Sequence, residues 1–79
     1  MRLDKYLKVS RLIKRRTVAN EACDGGHVSV NGKTAKASQE VKPGDIIELK
    51  FGARTLTVQV ESVSEFTTKA DASAMYRQL

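Results

Sequence analysis

The fold of this chain is decided by residues 25–51, which read GGHVSVNGKTAKASQEVKPGDIIELKF. Apolar and polar residues alternate over 28–30 as they do in a β-strand. Asn31 and Gly32 follow at once, and this pair is the strongest short-range signal for a type I′ turn, because both central residues of that turn need a positive φ. The sequence therefore predicts a tight hairpin with Lys33 and Lys36 near its tip.

A second turn and two longer strands follow the hairpin. Pro43 and Gly44 have the residue types of a type II turn. Apolar side chains then occupy alternate positions of 46–51, ending with Phe51, and residues 56–60 repeat this pattern. Because alternation is typical of a strand buried on one face, we expect two antiparallel strands whose core face includes Phe51.

Two short helices are predicted ahead of the hairpin. Leu3, Tyr6 and Leu7 fall at i, i+3 and i+4, so they share one face of a first helix and are expected to pack on the core. Thr17 is a good N-cap residue and is expected to open a second helix. That helix should end at the glycines 25–26, since glycine commonly adopts the left-handed conformation that stops a helix.

The chain ends in a weaker pattern. From Ser64 the strand alternation fades through Glu65–Thr68, and Asp71 is expected to cap a short final helix that contains Met75 and Tyr76. The order of elements predicts an α+β fold, with two short N-terminal helices packed on a small twisted, mainly antiparallel sheet and a short helix near the C-terminus.

Length and composition fit one small globular domain. With 79 residues, of which 41% are apolar and 29% charged, the chain has room for a single core. We expect one domain over 1–63, in which strands follow the helices, and a C-terminal extension over 64–79. No N-terminal run resembles a signal peptide, and every apolar run is far shorter than the roughly 20 residues that span a bilayer. A cytoplasmic protein is therefore expected.

The positive charge is concentrated at the N-terminus. Residues 1–16 hold seven bases and one acid, which gives +6, whereas the other 63 residues hold seven bases and eight acids, which gives −1. The seven bases are Arg2, Lys5, Lys8, Arg11, Lys14, Arg15 and Arg16. Seven like charges this close together repel one another, so a role as ordinary solvated surface residues explains these bases poorly. Their combined positive potential attracts a polyanion. The predicted partner is a phosphate backbone or an anionic membrane.

The start of the second helix strengthens this prediction. A helix N-terminus presents unpaired N–H groups and a partial positive charge, and Arg15 and Arg16 directly precede Thr17. The planar guanidinium grips phosphate with two hydrogen bonds or stacks on an unpaired base. We expect Arg16 to contribute most. Aromatic residues are too few for a stacking platform, so recognition of RNA shape is the better expectation.

The sequence offers little for catalysis. It has one histidine, His27, and one cysteine, Cys23, and nothing pairs them as nucleophile and base. His27 is expected in a loop or packing role, with contact to RNA as an alternative, and Cys23 in the core. These two residues cannot form a zinc or iron site. We expect no enzyme activity, no catalytic residue, no metal and no cofactor.

Four pieces of the sequence together resemble the RNA-binding domain named after ribosomal protein S4. They are RLDKYL at 2–7, KRRT at 14–17, GGHVSVNG at 25–32 and VKPGD at 41–45, and they follow the family's order and spacing. The resemblance implies that residues 1–63 are an RNA-binding domain with its following strands, and that the two helices and the hairpin form its RNA surface. Its RNA-facing positions fall on Arg2, Lys5, Arg11, Lys14, Arg15 and Arg16, with Asn31 and Lys33 at the hairpin tip.

Asp4 is the one acid within the basic segment, and two interpretations of it are open. It orients a neighbouring arginine, or it accepts a hydrogen bond from a ribose 2′-hydroxyl or a base. The complete set of candidate RNA-binding residues is Arg2, Asp4, Lys5, Lys8, Arg11, Lys14, Arg15, Arg16, Thr17, Asn31 and Lys33.

A free-standing chain of this size, with ASAMY at 72–76, resembles the bacterial fifteen-kilodalton heat-shock protein group and, within it, the small ribosome-quality-control factors. The resemblance implies a factor that binds ribosomal RNA and peptidyl-tRNA on stalled large subunits and assists a partner that adds a C-terminal tail to the nascent chain. We expect a monomer when free. Two alternatives stay open: a constitutive ribosomal or ribosome-assembly protein, and a module that lies on anionic membranes through a basic amphipathic helix.

Overall fold

The computed structural model describes residues 1–64 and 68–79, which form helices and one antiparallel sheet. The helices are α1 (Leu3–Val9), α2 (Arg16–Asp24) and α3 (Lys69–Ala72), and the strands are β1 (Val28–Val30), β2 (Lys33–Thr34), β3 (Ile46–Phe51), β4 (Arg54–Val60) and β5 (Tyr76–Gln78). The strand order is β2-β1-β3-β4-β5. The predicted α+β fold is confirmed. The strand pattern was predicted to fade over 64–68, and of these residues 65–67 lie outside the described parts of the chain.

The first helix packs on the core as its spacing predicts. Leu3, Tyr6 and Leu7 are fully buried. The helix ends where Arg11 adopts a φ of 64°, a left-handed conformation just past the last turn that stops helices, although glycine usually supplies it. The N–H of Arg11 donates to the carbonyl of Lys8 at 3.1 Å, which closes that turn.

The second helix begins earlier than expected. Arg16 is its first residue and Arg15 its N-cap, so the prediction that Thr17 caps this helix was wrong. The reason lies in the backbone: Arg15 is extended, with φ −121° and ψ 136°, and its carbonyl already accepts the N–H of Ala19 at 3.0 Å. This contact fixes the first turn without a side-chain cap.

The predicted stop of α2 and both predicted turns are present. Gly26 has a φ of 85°, and the N–H of His27 donates to the carbonyl of Ala22 at 2.9 Å, as in a Schellman motif. Asn31 and Gly32 have φ values of 53° and 84°, which fit the type I′ turn between β1 and β2. Gly44, with a φ of 95°, completes the type II turn.

The core lies between α1, α2 and one face of the sheet. Ile47 and Leu49 of β3 and Val58 of β4 are fully buried. Phe51 was expected on the same buried face, and this was wrong, since 45% of it is exposed. Phe51 is the last residue of β3 and pairs with Arg54 across the turn, where the space between the sheet and α2 is an open groove. Alternation along a strand does not reveal how far the covering helices extend.

The C-terminal helix is present but differs from its prediction. Thr68, not Asp71, caps α3, because its hydroxyl oxygen accepts the backbone N–H of Asp71 at 3.2 Å. Met75 lies beyond the helix, and Tyr76 begins the edge strand β5. The buried hydroxyl of Tyr6 donates to the carbonyl of Met75 at 2.7 Å, which ties the end of the chain to α1. No helix in the described parts of the chain is long and apolar enough to cross a membrane.

Candidate RNA interface

A buried carboxylate, that of Asp4, lies at the centre of the basic segment. Its side chain is 3% exposed. Oδ1 accepts the backbone N–H of Lys5 at 2.8 Å and Nε of Arg2 at 3.2 Å. Oδ2 accepts Nη2 of Arg2 and Nδ2 of Asn20, each at 3.3 Å, and lies 3.5 Å from Nε of Arg16. One carboxylate therefore joins the start of α1 to the first turns of α2.

These contacts lower the pKa of Asp4 below its ordinary value. Burial alone raises the pKa, but the hydrogen bonds from Asn20 and the Lys5 backbone, together with the positive charges of Arg16 and Arg2, outweigh burial. Asp4 is therefore ionised at neutral pH, which is the state that attracts both guanidinium groups.

Arg2 and Arg16 keep exposed donors while Asp4 holds them. Their side chains are 50% and 49% exposed, and a guanidinium has five N–H donors in a fixed plane. Each arginine can therefore donate to a second anion. Both oxygens of Asp4 already accept hydrogen bonds from within the fold, so the structure favours the interpretation in which Asp4 orients its neighbouring arginines.

Four more bases of the segment add exposed positive charge to that of Arg2 and Arg16. Lys8, Arg11, Lys14 and Arg15 are exposed, and across residues 1–64 and 68–79 no carboxylate forms an ion pair with any of these four. Lys5 is half-buried and makes contacts of its own. The N-terminal segment therefore keeps a surplus of exposed positive charge after Asp4 is counted.

The start of α2 adds to this potential. Its N-cap, Arg15, makes no side-chain capping hydrogen bond, because an arginine side chain has no acceptor. The first N–H groups of the helix therefore gain no cap from Arg15, and they carry the partial positive charge of the helix end. A shallow groove opens beside this turn, and its lining consists of Asp4, Arg16, Thr17, Asn20 and Glu21.

Asn20 is a site residue that the sequence reasoning missed. Its amide donates to Asp4 and lies one helical turn after Arg16. The spacing of Arg16 and Asn20 at i and i+4 places them on one face of α2. Nothing in the sequence, however, shows that Asp4 of α1 faces them.

The hairpin residues do not join this cluster. Asn31 uses its amide within the fold: Nδ2 donates to Asp45 Oδ1 at 3.1 Å, and Oδ1 accepts the N–H of Ile46 at 2.9 Å. Lys33 is exposed and lines a different groove beside Asn31. The segment 37–41 runs between the two regions, since it hydrogen-bonds residues 1–4 and also borders the hairpin groove.

The remaining candidates for chemistry lie apart. Within the described residues, no three His, Cys, Asp or Glu side chains are grouped as metal ligands would be. Cys23 is buried, and burial raises the pKa of its thiol to about 11, which removes its nucleophilic form at neutral pH. His27 is exposed and lines a groove with Phe51.

Comparison with known families decides the identity of the fold, because the S4 domain matches residues 1–47. This chain belongs to the S4 domain family. The match spans α1, α2 and the hairpin, and so contains every candidate RNA-binding residue of this S4 domain protein. The resemblance seen in the sequence is therefore confirmed.

Full-length relatives extend the comparison beyond the matched domain. A Bacillus subtilis protein named RQC P-site tRNA stabilizing factor is 57% identical over 76 residues, which cover 96% of this chain and 88% of that protein. A protein of the same name from Halalkalibacterium halodurans is 53% identical, with coverages of 96% and 86%. The solved trimeric structure of Vibrio cholerae heat shock protein 15 is 35% identical and superposes with a TM-score of 0.91, covering 100% of this chain and 81% of that one.

Proposed function

We propose that this S4 domain protein is a non-catalytic factor of bacterial ribosome quality control that binds ribosomal RNA and peptidyl-tRNA on stalled large subunits. The observation that carries the proposal is the exposed N-terminal cations, with Arg2 and Arg16 held in place by the buried Asp4. The names of the 57% and 53% identical relatives, which refer to a P-site tRNA, support the choice of ribosome and tRNA.

The chemistry of the surface suits folded RNA. Arg16 is the first residue of α2, so its guanidinium and the helix N-terminus attract the same phosphate. Lys8, Arg11 and Lys14 supply further positive charge, which attracts phosphates whatever the base sequence. This combination favours recognition of a phosphate backbone and its shape over the reading of a base sequence.

Such a factor acts by holding two RNAs together. Once the chain is bound to ribosomal RNA, its contact with tRNA on the same subunit is intramolecular. The tRNA is then present at a high effective concentration, so it is held more tightly than by either contact alone. Peptidyl-tRNA would then stay on the subunit while a partner protein extends the nascent chain with a C-terminal tail. In this account the protein works in the cytoplasm, is a monomer when free, and uses no cofactor.

The structure disfavours the membrane alternative. Lipid binding by a basic amphipathic helix needs an exposed apolar face, but Leu3, Tyr6 and Leu7 of α1 are all fully buried in the core. The apolar face of α1 is therefore not available to a lipid surface, whereas its exposed cations are available to a partner.

The test is sedimentation with large subunits that carry peptidyl-tRNA, compared with empty large subunits. We expect the wild-type chain to pellet preferentially with the first kind, the Arg16→Ala variant to lose most of this binding, and Lys42→Ala to bind normally. Equal binding to both kinds of subunit would instead support a constitutive ribosomal protein. Pelleting with anionic vesicles but not with subunits would contradict the proposal.

A further inference from the structure

An aromatic side chain that the sequence assigns to the core stands at the surface instead. Phe51 is 45% exposed at the end of β3, so it forgoes much of the stabilisation that burial of a phenylalanine gives. It borders open grooves on two sides, one toward α2 and one toward Leu56 and Gln78 of the sheet.

The groove toward α2 has apolar walls and a polar edge. Val18, itself 46% exposed, and Ala22 line it from the helix, and His27 lines it from the start of the hairpin. The flat ring of Phe51 beside this open groove matches the face of a nucleobase. Any of the bases can stack on an aromatic ring, because each of them has a flat π-face. The imidazole of His27 offers a donor or an acceptor to the edge of a base.

The charges around the groove fit a nucleotide better than an apolar peptide. Lys50 also lines it, and Arg54 pairs with Phe51 across the turn. In the described portions of the chain neither cation forms an ion pair with a carboxylate, and Glu21 is the acid that lines this groove. Apolar walls with cations at the rim complement an apolar base attached to a phosphate.

The groove is also continuous with the basic surface. Glu21 lines both this groove and the groove beside Arg16 at the start of α2. The groove beside Phe51 therefore lies within reach of an RNA strand whose phosphates contact the start of α2.

We propose that the groove between α2 and Phe51 binds one unpaired nucleotide of the RNA, with its base stacked on the phenyl ring and its phosphate near Lys50 or Arg54. The inference rests on the proposed function, because it assigns a second contact to the same RNA partner. It adds a site that recognises single-stranded RNA to a surface that otherwise recognises phosphates.

The test measures the affinity of the full chain for a blunt RNA duplex and for the same duplex with a short single-stranded extension. We expect Phe51→Ala to weaken binding of the extended duplex by about 5- to 150-fold, the range for loss of one base–aromatic stack, and to leave the blunt duplex within about twofold. Phe51→Tyr should retain binding, whereas Phe51→Leu, which is apolar but has no ring, should lose it. Leu79→Ala is the matched control, because Leu79 is 59% exposed and lies outside the groove.

The outcomes separate this inference from the proposed function. If Phe51→Ala or Phe51→Leu binds the extended duplex as the wild type does, the nucleotide site is wrong and the groove faces a different partner, such as a protein. If the wild-type chain binds neither RNA, the proposed function itself is contradicted. Circular dichroism of each variant establishes that a loss of affinity is not a loss of folding.

Discussion

Nε of Arg16 lies 3.5 Å from Oδ2 of Asp4, although the two residues belong to different helices. The same carboxylate also holds Arg2, so an acid inside the most basic part of the chain organises two of its cations. A purely electrostatic view of this surface would treat Asp4 as an unfavourable charge. The geometry gives it the opposite role, since it limits the rotamers of two arginines before RNA arrives.

Replacing Asp4 with asparagine is expected to weaken RNA binding although it makes the chain more basic. The neutral amide of this variant would hold the two guanidinium groups less firmly, and we expect a loss of about 10-fold, comparable to one charge-assisted hydrogen bond. Fluorescence anisotropy with a labelled RNA duplex measures this. Asp71→Asn in α3 adds the same charge and should not weaken binding. Tighter binding by Asp4→Asn would show that Asp4 only opposes the RNA.

The contribution of Asp4 to stability should depend on pH in the acid range. Its pKa is lower in the folded chain than its ordinary value of 3.8, so the folded state binds fewer protons through this group. The stabilisation is therefore complete above the unfolded pKa and is lost as the pH falls through the folded pKa. Urea unfolding between about pH 6 and pH 2 should show the wild type losing its advantage over Asp4→Asn. A constant difference would contradict this assignment.

Asn31 is expected to affect stability through its contacts to Asp45 and Ile46. Asn31→Gly keeps the positive φ but removes both side-chain hydrogen bonds, and should lower the free energy of unfolding by about 1–3 kcal/mol. Asn31→Ala should cost about 1–2 kcal/mol more, because alanine resists the left-handed conformation. Lys33→Ala serves as the control and should unfold like the wild type. If Asn31→Gly is as stable as the wild type, its amide is not required by the fold.

Cys23 should react as a buried, protonated thiol. Burial raises its pKa to about 11, so thiolate is scarce at pH 8 and the side chain is also shielded. We expect alkylation by iodoacetamide to be at least about 10-fold slower in the folded chain than in urea. Mass spectrometry of the alkylated chain measures both rates. Equal rates would mean that the Cys23 region opens readily in the native state.

The sequence predicted the two turns and the buried face of α1, which depend on residue type and spacing alone. The left-handed conformations at Asn31, Gly32 and Gly44 follow from residue types that tolerate a positive φ. Leu3 and Tyr6 are buried because their spacing on α1 leaves them on one face. The errors concern the bounds of α2 and α3, where neighbouring residues compete for the capping position, and Phe51, whose exposure depends on how α2 packs against the sheet.

The candidate site was predictable only in part, because its geometry depends on how the two helices pack. The concentration of charge in residues 1–16 is visible in the sequence, and so is the oddity of Asp4 among the bases. The association of Asp4 with Asn20 and Arg16 depends on how α1 packs on α2, which no local pattern reports. The hairpin position Asn31 was chosen as an RNA contact, whereas the structure shows its amide hydrogen-bonded within the fold; its contact with RNA remains a prediction.

The central claim is that the exposed N-terminal cations bind folded RNA, and the salt dependence of binding to large subunits that carry peptidyl-tRNA tests it most directly. If about 4 to 6 phosphates are neutralised, log K should fall against log salt with a slope of roughly −3 to −5. The double variant Arg15→Ala/Arg16→Ala should bind more weakly and with a slope shallower by about 1.5, while Lys36→Ala/Lys42→Ala, with the same loss of charge, should keep the wild-type slope. A slope near zero for the wild type, or an unchanged slope in the arginine variant, would contradict the account.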